Sequence, residues 1–214
     1  MSNIEKAAQK IKTCGIVAII RGDYSVDDML RISTALLAGS VSVVEITLNT
    51  PAVLDGLPML RKHFGDELLI GAGTVRNAAD VQQAIDAGAQ FLVSPNYDAA
   101  SVALSQTKDI LHLPGVFTAT EAQTAFAGGC KMLKLFPMEV AGPAYLKALR
   151  APLDDIDFIP TGGISVENIA DYAKAGAVAV GLGSKLVLNR EQSSEDLTQR
   201  AKTLSETWKQ AKHG

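Results

Sequence analysis

Short runs of consecutive apolar residues alternate along this chain with longer stretches of helical periodicity. Ile4, Ala7, Ala8 and Ile11 stand at helical spacing, and Ile16-Val17-Ala18-Ile19-Ile20 then reads as a buried strand ending at Arg21. Residues 26–38 predict a helix that stops at Gly39, and Val41 to Ile46 a second strand with Glu45 on the same face as Val43. Pro51 is expected to open the next helix. Leu68 to Ala72 predicts a third strand running into Gly73-Thr74, followed by a helix over residues 77–87 that ends at Gly88. Phe91 to Val93 gives a fourth strand ending in Ser94-Pro95, and Ile110 to Leu113 a fifth ending in Pro114-Gly115. Thr118 and Glu121 have the spacing of a capping box. Lys131 to Leu135 is the sixth strand and Asp157 to Pro160 the seventh, ending in Thr161-Gly162-Gly163. Val178 to Gly181 is the eighth, ending in Gly183-Ser184, and a polar helix over residues 194–212 closes the chain.

Eight apolar strands interleaved with helices predict an α/β fold with a parallel sheet. The count of eight favours a (β/α)8 TIM barrel with an additional N-terminal helix, one domain over residues 1–214, ahead of a doubly wound open sheet. Barrel sites lie at the C-terminal ends of the strands. Arg21, Glu45, Thr74, Pro95, Lys134, Thr161 and Ser184 would then meet at one mouth although they are far apart in sequence.

Lys134 lies between Leu133 and Leu135, just before Phe136-Pro137. Alone, it could be a strand-end lysine whose stem lies on apolar surface with its head in water. Facing a barrel interior, its charged form would lose solvation, leaving free amine to attack a carbonyl. Glu45 is the acidic residue placed to move protons beside it, or else a carboxylate that only holds Lys134 or Arg21 in place. Lys131 has the opposite parity and reads as a surface lysine. Thr161-Gly162-Gly163 and Gly183-Ser184 bring bare backbone amides to consecutive strand ends, an arrangement suited to phosphate. Thr74, after Gly71-Ala72-Gly73, offers a hydroxyl. Cys14 and Cys130 read as small buried hydrophobes, and His112 as structural.

Composition narrows the partners. The 214 residues are 47% hydrophobic and 5% aromatic, with a formal net charge of -3, so a nucleic acid or a membrane is not the expected partner. Two cysteines and an opening segment unlike a signal peptide point to a cytoplasmic protein. His63, His112 and His213 are widely separated, and neither a metal nor another cofactor is expected.

Together these stretches resemble the class I aldolases that cleave 2-keto-3-deoxy-6-phosphogluconate, many of which also act on 4-hydroxy-2-oxoglutarate. The resemblance spans nearly the whole chain. It rests on Glu45-Ile46-Thr47-Leu48, Gly71-Ala72-Gly73-Thr74-Val75, Ser94-Pro95, Leu113-Pro114-Gly115, Lys134-Leu135-Phe136-Pro137, Thr161-Gly162-Gly163-Ile164 and Gly183-Ser184. It implies a Schiff base on Lys134 and proton transfer by Glu45. It further implies substrate contacts from Thr74, Pro95, Phe136 and Thr161, phosphate binding at Gly162, Gly163, Gly183 and Ser184, a small keto-acid substrate, a homotrimer and no metal. One position departs: where the family usually carries an arginine that helps bind the keto-acid carboxylate, this chain has Asn49, which leaves Arg21 and Thr74 as candidates for that role. Two other readings share the glycine loops: an isomerase or synthase that needs no imine, and a barrel that binds a phosphorylated keto acid without turning it over.

Overall fold

A computed structural model describes residues 1–213. Helix α1 (Asn3–Cys14) is opened by a capping box between Ser2 and Glu5. It ends at Gly15, whose φ of 75° and whose contact with Trp208 both demand glycine, since a Cβ there would stand 1.9 Å from the indole nitrogen. Strand β1 (Ile16–Ile20) and helix α2 (Val26–Ala38) follow the predicted bounds. Next come β2 (Val43–Thr47), α3 (Val53–Phe64), β3 (Leu69–Gly73), α4 (Ala78–Asp86), β4 (Phe91–Val93) and α5 (Ala99–Thr107). The chain continues through β5 (Leu111–Leu113), β6 (Gly115–Val116), α6 (Ala119–Ala127), β7 (Met132–Leu135), a 3₁₀ turn (Met138–Val140) and α7 (Gly142–Arg150). It finishes with β8 (Asp157–Pro160), α8 (Ile169–Lys174), β9 (Val180–Leu182) and α9 (Ser194–His213).

The fold is α/β and its strand pairs are parallel. Six strands pair in the order β5-β4-β3-β2-β1-β9 and three in the order β6-β7-β8. Every residue of β1, β2 and β3 is buried, as expected of parallel strands covered on both faces, and this is why Ile16–Ile20 is continuously apolar rather than alternating.

Three expectations need correction. The predicted fifth strand, Ile110 to Leu113, is β5, and a further strand that the sequence did not predict, β6, resumes beyond Pro114, which has no N–H for the ladder. The same segment serves both sheets: the Leu113 carbonyl accepts from Ser94 N at 3.1 Å and the Pro114 carbonyl from Lys134 N at 3.0 Å. Pro51 does not open α3. The chain first makes a turn in which Thr50 N donates to Thr47 O at 2.8 Å and the two buried hydroxyls meet at 3.2 Å, so the helix starts only at Val53. The edges of β2, β3, β7 and β9 differ from the predicted ones by one or two residues, the usual uncertainty of element ends. At the far edge of the sheets, Thr161 forms an isolated parallel bridge to Gly181, and Val178 N donates to Phe158 O at 3.1 Å.

Candidate active site

Because the paired strands are parallel, their C-terminal ends collect on one side, and the predicted site residues lie there. Lys134 stands on β7 opposite Gly115 on β6 and Ile159 on β8, while Glu45 stands on β2 opposite Ile19 on β1 and Gly71 on β3. Both are buried, Lys134 to 5% and Glu45 to 2% exposure. Burial sets their protonation. It pushes the Lys134 amine below its ordinary value, with Glu45 pulling it back up and Arg21 lowering it further. It pushes the Glu45 carboxyl above the usual carboxylate range, against the opposing charges of Lys134 and Arg21. Both groups are thus driven toward their neutral forms. The Lys134 Nζ lies 5.0 Å from the centre of the Phe136 ring, and Glu45 Oε1 is buried with no hydrogen-bond partner among the described residues. A buried amine whose charged form is disfavoured, sharing the interior with an unpartnered carboxyl, can attack a carbonyl and exchange protons with the adduct.

Gly73 makes room for this carboxyl. A Cβ at that position would stand 1.8 Å from Glu45 Oε1, so the glycine provides clearance for the acid as well as a turn. Thr74 follows with φ of 60°, an uncommon conformation for a β-branched residue and one that tends to occur at functional sites.

A cavity of about 340 Å³ gathers Arg21, Phe136, Thr161, Gly162, Gly163, Gly183 and Ser184. A second, of about 300 Å³, lies across Phe136 and includes Pro95. Gly162 and Gly163 have φ of 102° and 67°, and their loop is clamped by Asn168, whose carboxamide donates to Gly163 O at 3.0 Å and accepts from Ser165 N at 2.9 Å. The N–H groups of Gly162, Gly163, Gly183 and Ser184 donate to no group among the described residues, which leaves them available to an oxyanion. Gly162 and Gly163 are held to glycine by backbone conformation, whereas a Cβ at Gly183 would meet nothing nearer than Ile19 Cβ at 3.9 Å.

Lys134, Glu45, Asn49 and Thr74 line neither cavity; the first two are buried, Asn49 is exposed in the turn after β2 and Thr74 is half-buried. Lys131 is exposed because it precedes β7; Leu133 and Leu135, which share its parity, are buried. Cys14 and Cys130 are buried free thiols, and burial pushes Cys130 up to about 11. His112 is a buried structural group that meets Ser94 Oγ at 2.6 Å and Ser105 Oγ at 3.2 Å. Two charged cavity residues lay outside the predicted site, Glu139 and Lys185. Glu139 sits in the 3₁₀ turn beyond Pro137, where no strand parity foretells direction. Lys185 directly follows Ser184 and could have been found by extending the glycine loop one residue.

Comparison with known proteins adds an independent line. Residues 7–203 match the family model for KDPG and KHG aldolase. A probable 2-dehydro-3-deoxy-6-phosphogalactonate aldolase of Rhizobium meliloti is 39% identical over 187 residues, 87% of each chain. A solved native KDPGal structure superposes with a TM-score of 0.88 at 36% identity, covering 93% of this chain and 96% of that one. The KDPG aldolase of Legionella pneumophila, solved with pyruvate captured as a covalent carbinolamine intermediate, superposes with a TM-score of 0.81 at 29% identity, covering 96% of this chain and 97% of that one.

Proposed function

Since the chain belongs to the KDPG and KHG aldolase family of carbon–carbon lyases, we propose that it cleaves 2-keto-3-deoxy-6-phosphogluconate to pyruvate and glyceraldehyde 3-phosphate, and 4-hydroxy-2-oxoglutarate to pyruvate and glyoxylate. The observation that carries this reading is the buried pair of Lys134 and Glu45, joined through Phe136, whose ring centre lies 5.0 Å from Lys134 Nζ, to a cavity whose glycine loops present unused backbone amides. Lys134 attacks the C2 carbonyl, and the resulting carbinolamine loses water to give an iminium. Glu45, directly or through one water, accepts the C4 hydroxyl proton. The C3–C4 bond then breaks, with its electron pair moving toward the iminium nitrogen to give an enamine and the free aldehyde. Glu45 returns the proton to C3, and water releases pyruvate and the amine. Phe136 and Pro95 shield the imine, Thr161 and Thr74 contact substrate, and Gly162, Gly163, Gly183 and Ser184 hold the phosphate. With Asn49 exposed, Arg21, the cavity cation whose charge bears on both Lys134 and Glu45, meets the keto-acid carboxylate.

A second substrate reading is favoured by the phosphogalactonate name of the Rhizobium meliloti relative. The two acids differ at C4, and cleavage converts that carbon to an aldehyde, so both give the same products. Separate assays on the two epimers distinguish them.

We also infer that the two sheets are arcs of one (β/α)8 barrel. The reading is supported by the Thr161–Gly181 bridge on one side and by the Leu113–Pro114 segment shared between the sheets on the other. A homotrimer and a cytoplasmic setting complete the proposal. No helix among the described residues is long and apolar enough to cross a membrane. Sedimentation equilibrium tests the trimer, for which a single-chain mass would be the contrary result.

The deciding experiment is borohydride reduction in the presence of pyruvate, followed by peptide mapping. A reduced three-carbon adduct on Lys134 and on no other lysine is expected. A label on Lys131, or none at all, would overturn the Schiff-base assignment.

A further inference from the structure

Charge is unevenly spread along the cavity beside Lys134. Arg21 belongs to the end nearer the buried pair, since its charge bears on both Glu45 and Lys134. At the glycine end stands Lys185, next to Ser184, and it also faces a neighbouring cavity of about 480 Å³ that includes Glu167 and Arg200. Lys185 is exposed and makes no hydrogen bond or ion pair within 4.0 Å among the described residues. Glu167, the acid whose charge it bears on, is held mainly by the Ser165 hydroxyl. The ammonium is therefore uncommitted.

Glu139 lines the same cavity, and its Cβ would stand 2.8 Å from a Cβ built on Gly163. A phosphate seated on the free amides of Gly162 and Gly163 would share its cavity with this acidic residue. The amides bind any oxyanion that fits, and their partial charges do not match the full charge of a cation in opposing Glu139. With Arg21 occupied by the keto-acid carboxylate, Lys185 is the remaining cation that lines this cavity.

We propose that Lys185 sets this protein's preference for phosphorylated over unphosphorylated keto acids, by placing a mobile ammonium beside the backbone amides at the phosphate end. This rests on the aldolase reading and deepens it. A lysine suits the task because its compact charge on a flexible stem can follow the phosphate as the aldehyde fragment departs. An exposed charge acts through screened solvent, so its effect must weaken with salt.

The test compares wild type, Lys185→Met and Lys185→Arg in steady-state cleavage of 4-hydroxy-2-oxoglutarate and of whichever phosphorylated C4 epimer the wild type turns over. Each enzyme is assayed at low and high salt, with pyruvate–borohydride labelling of Lys134 measured alongside. The ratio of kcat/KM for the phosphorylated over the unphosphorylated substrate should fall about tenfold in Lys185→Met, the lower end expected for losing a charged contact. The loss should lie mainly in KM and be restored in Lys185→Arg. High salt should shrink the ratio in wild type and leave it nearly level in Lys185→Met. A ratio in Lys185→Met within about twofold of wild type, or equal salt sensitivity in the two, overturns the assignment. Failure of wild type to label at Lys134 overturns the aldolase reading itself, whatever the ratios show.

Discussion

At Lys134 and Glu45, burial works against charge on both partners, and the consequences can be measured one residue at a time. Because the Lys134 amine is held below its ordinary value, it should lose its proton at a lower pH than an exposed lysine. The rate of borohydride trapping at subsaturating pyruvate should therefore rise with pH and level off through a midpoint below 10.5, whereas a midpoint at or above it would mean that the amine is not desolvated. Glu45→Gln should still label at Lys134 but turn over about a hundred to ten thousand times more slowly, the range for a positioned acid–base group. Near-normal turnover would reduce Glu45 to a structural neighbour. Gly73→Ala leaves both groups in the chain, yet its methyl would occupy the space of Glu45 Oε1. Turnover should fall about a hundredfold from this misplacement, with the fold intact by circular dichroism.

The elements are held by contacts of the same kind. Gly15 joins α1 to β1 in a left-handed conformation under the indole of Trp208. Gly15→Ala should cost at least about 2 kcal/mol, combining the left-handed penalty with the displaced ring, and urea unfolding would report it as a lower midpoint. Elements of this kind were easy to read in the sequence where one signal dominated. Ile16–Ile20 could be little but a buried strand, and Thr118 with Glu121 cap α6 as their spacing predicts. The misreadings came where two signals competed. Pro51 suits a first helical turn, but the buried Thr47–Thr50 contact holds the chain in a turn and delays α3. Pro114 looked like the end of a strand, yet only its missing N–H interrupts the ladder and its carbonyl remains in use. At the site, Lys134 and Glu45 are buried because each lies inside a strand covered on both faces, as the apolar runs around them foretell. Glu139 and the exposed side chain of Asn49 lie in turns, where the direction of a side chain is set by dihedral angles that residue order does not reveal.

For the molecule as a whole, His112 links β5 to the end of β4 and to α5, and burial lowers its pKa to about 4. The unfolded chain thus binds a proton that the folded one refuses between about 6.5 and about 4, and stability should fall as pH drops through that window. The loss approaches about 3 kcal/mol at full protonation. His112→Gln should flatten the dependence of the urea midpoint on pH across this range, and an unchanged slope would show that other groups dominate. The caps made by Asp98 and Glu121, whose carboxyls are held below their ordinary values mainly by hydrogen bonds, add a further loss of stability as pH falls below those ordinary values.

The unpartnered oxygen of Glu45, set beside a desolvated amine, also makes the chemistry a handicap to the scaffold. Two ionisable groups kept from water inside an α/β fold are the kind whose replacement by apolar residues tends to leave a protein equally or more stable. The double variant Lys134→Met with Glu45→Met should melt at a temperature no lower than wild type's, by calorimetry, while failing to label with pyruvate. Selection of this chain for heat resistance alone would then have no reason to keep either residue, and its hardiest descendants would be scaffolds with nothing left to cleave.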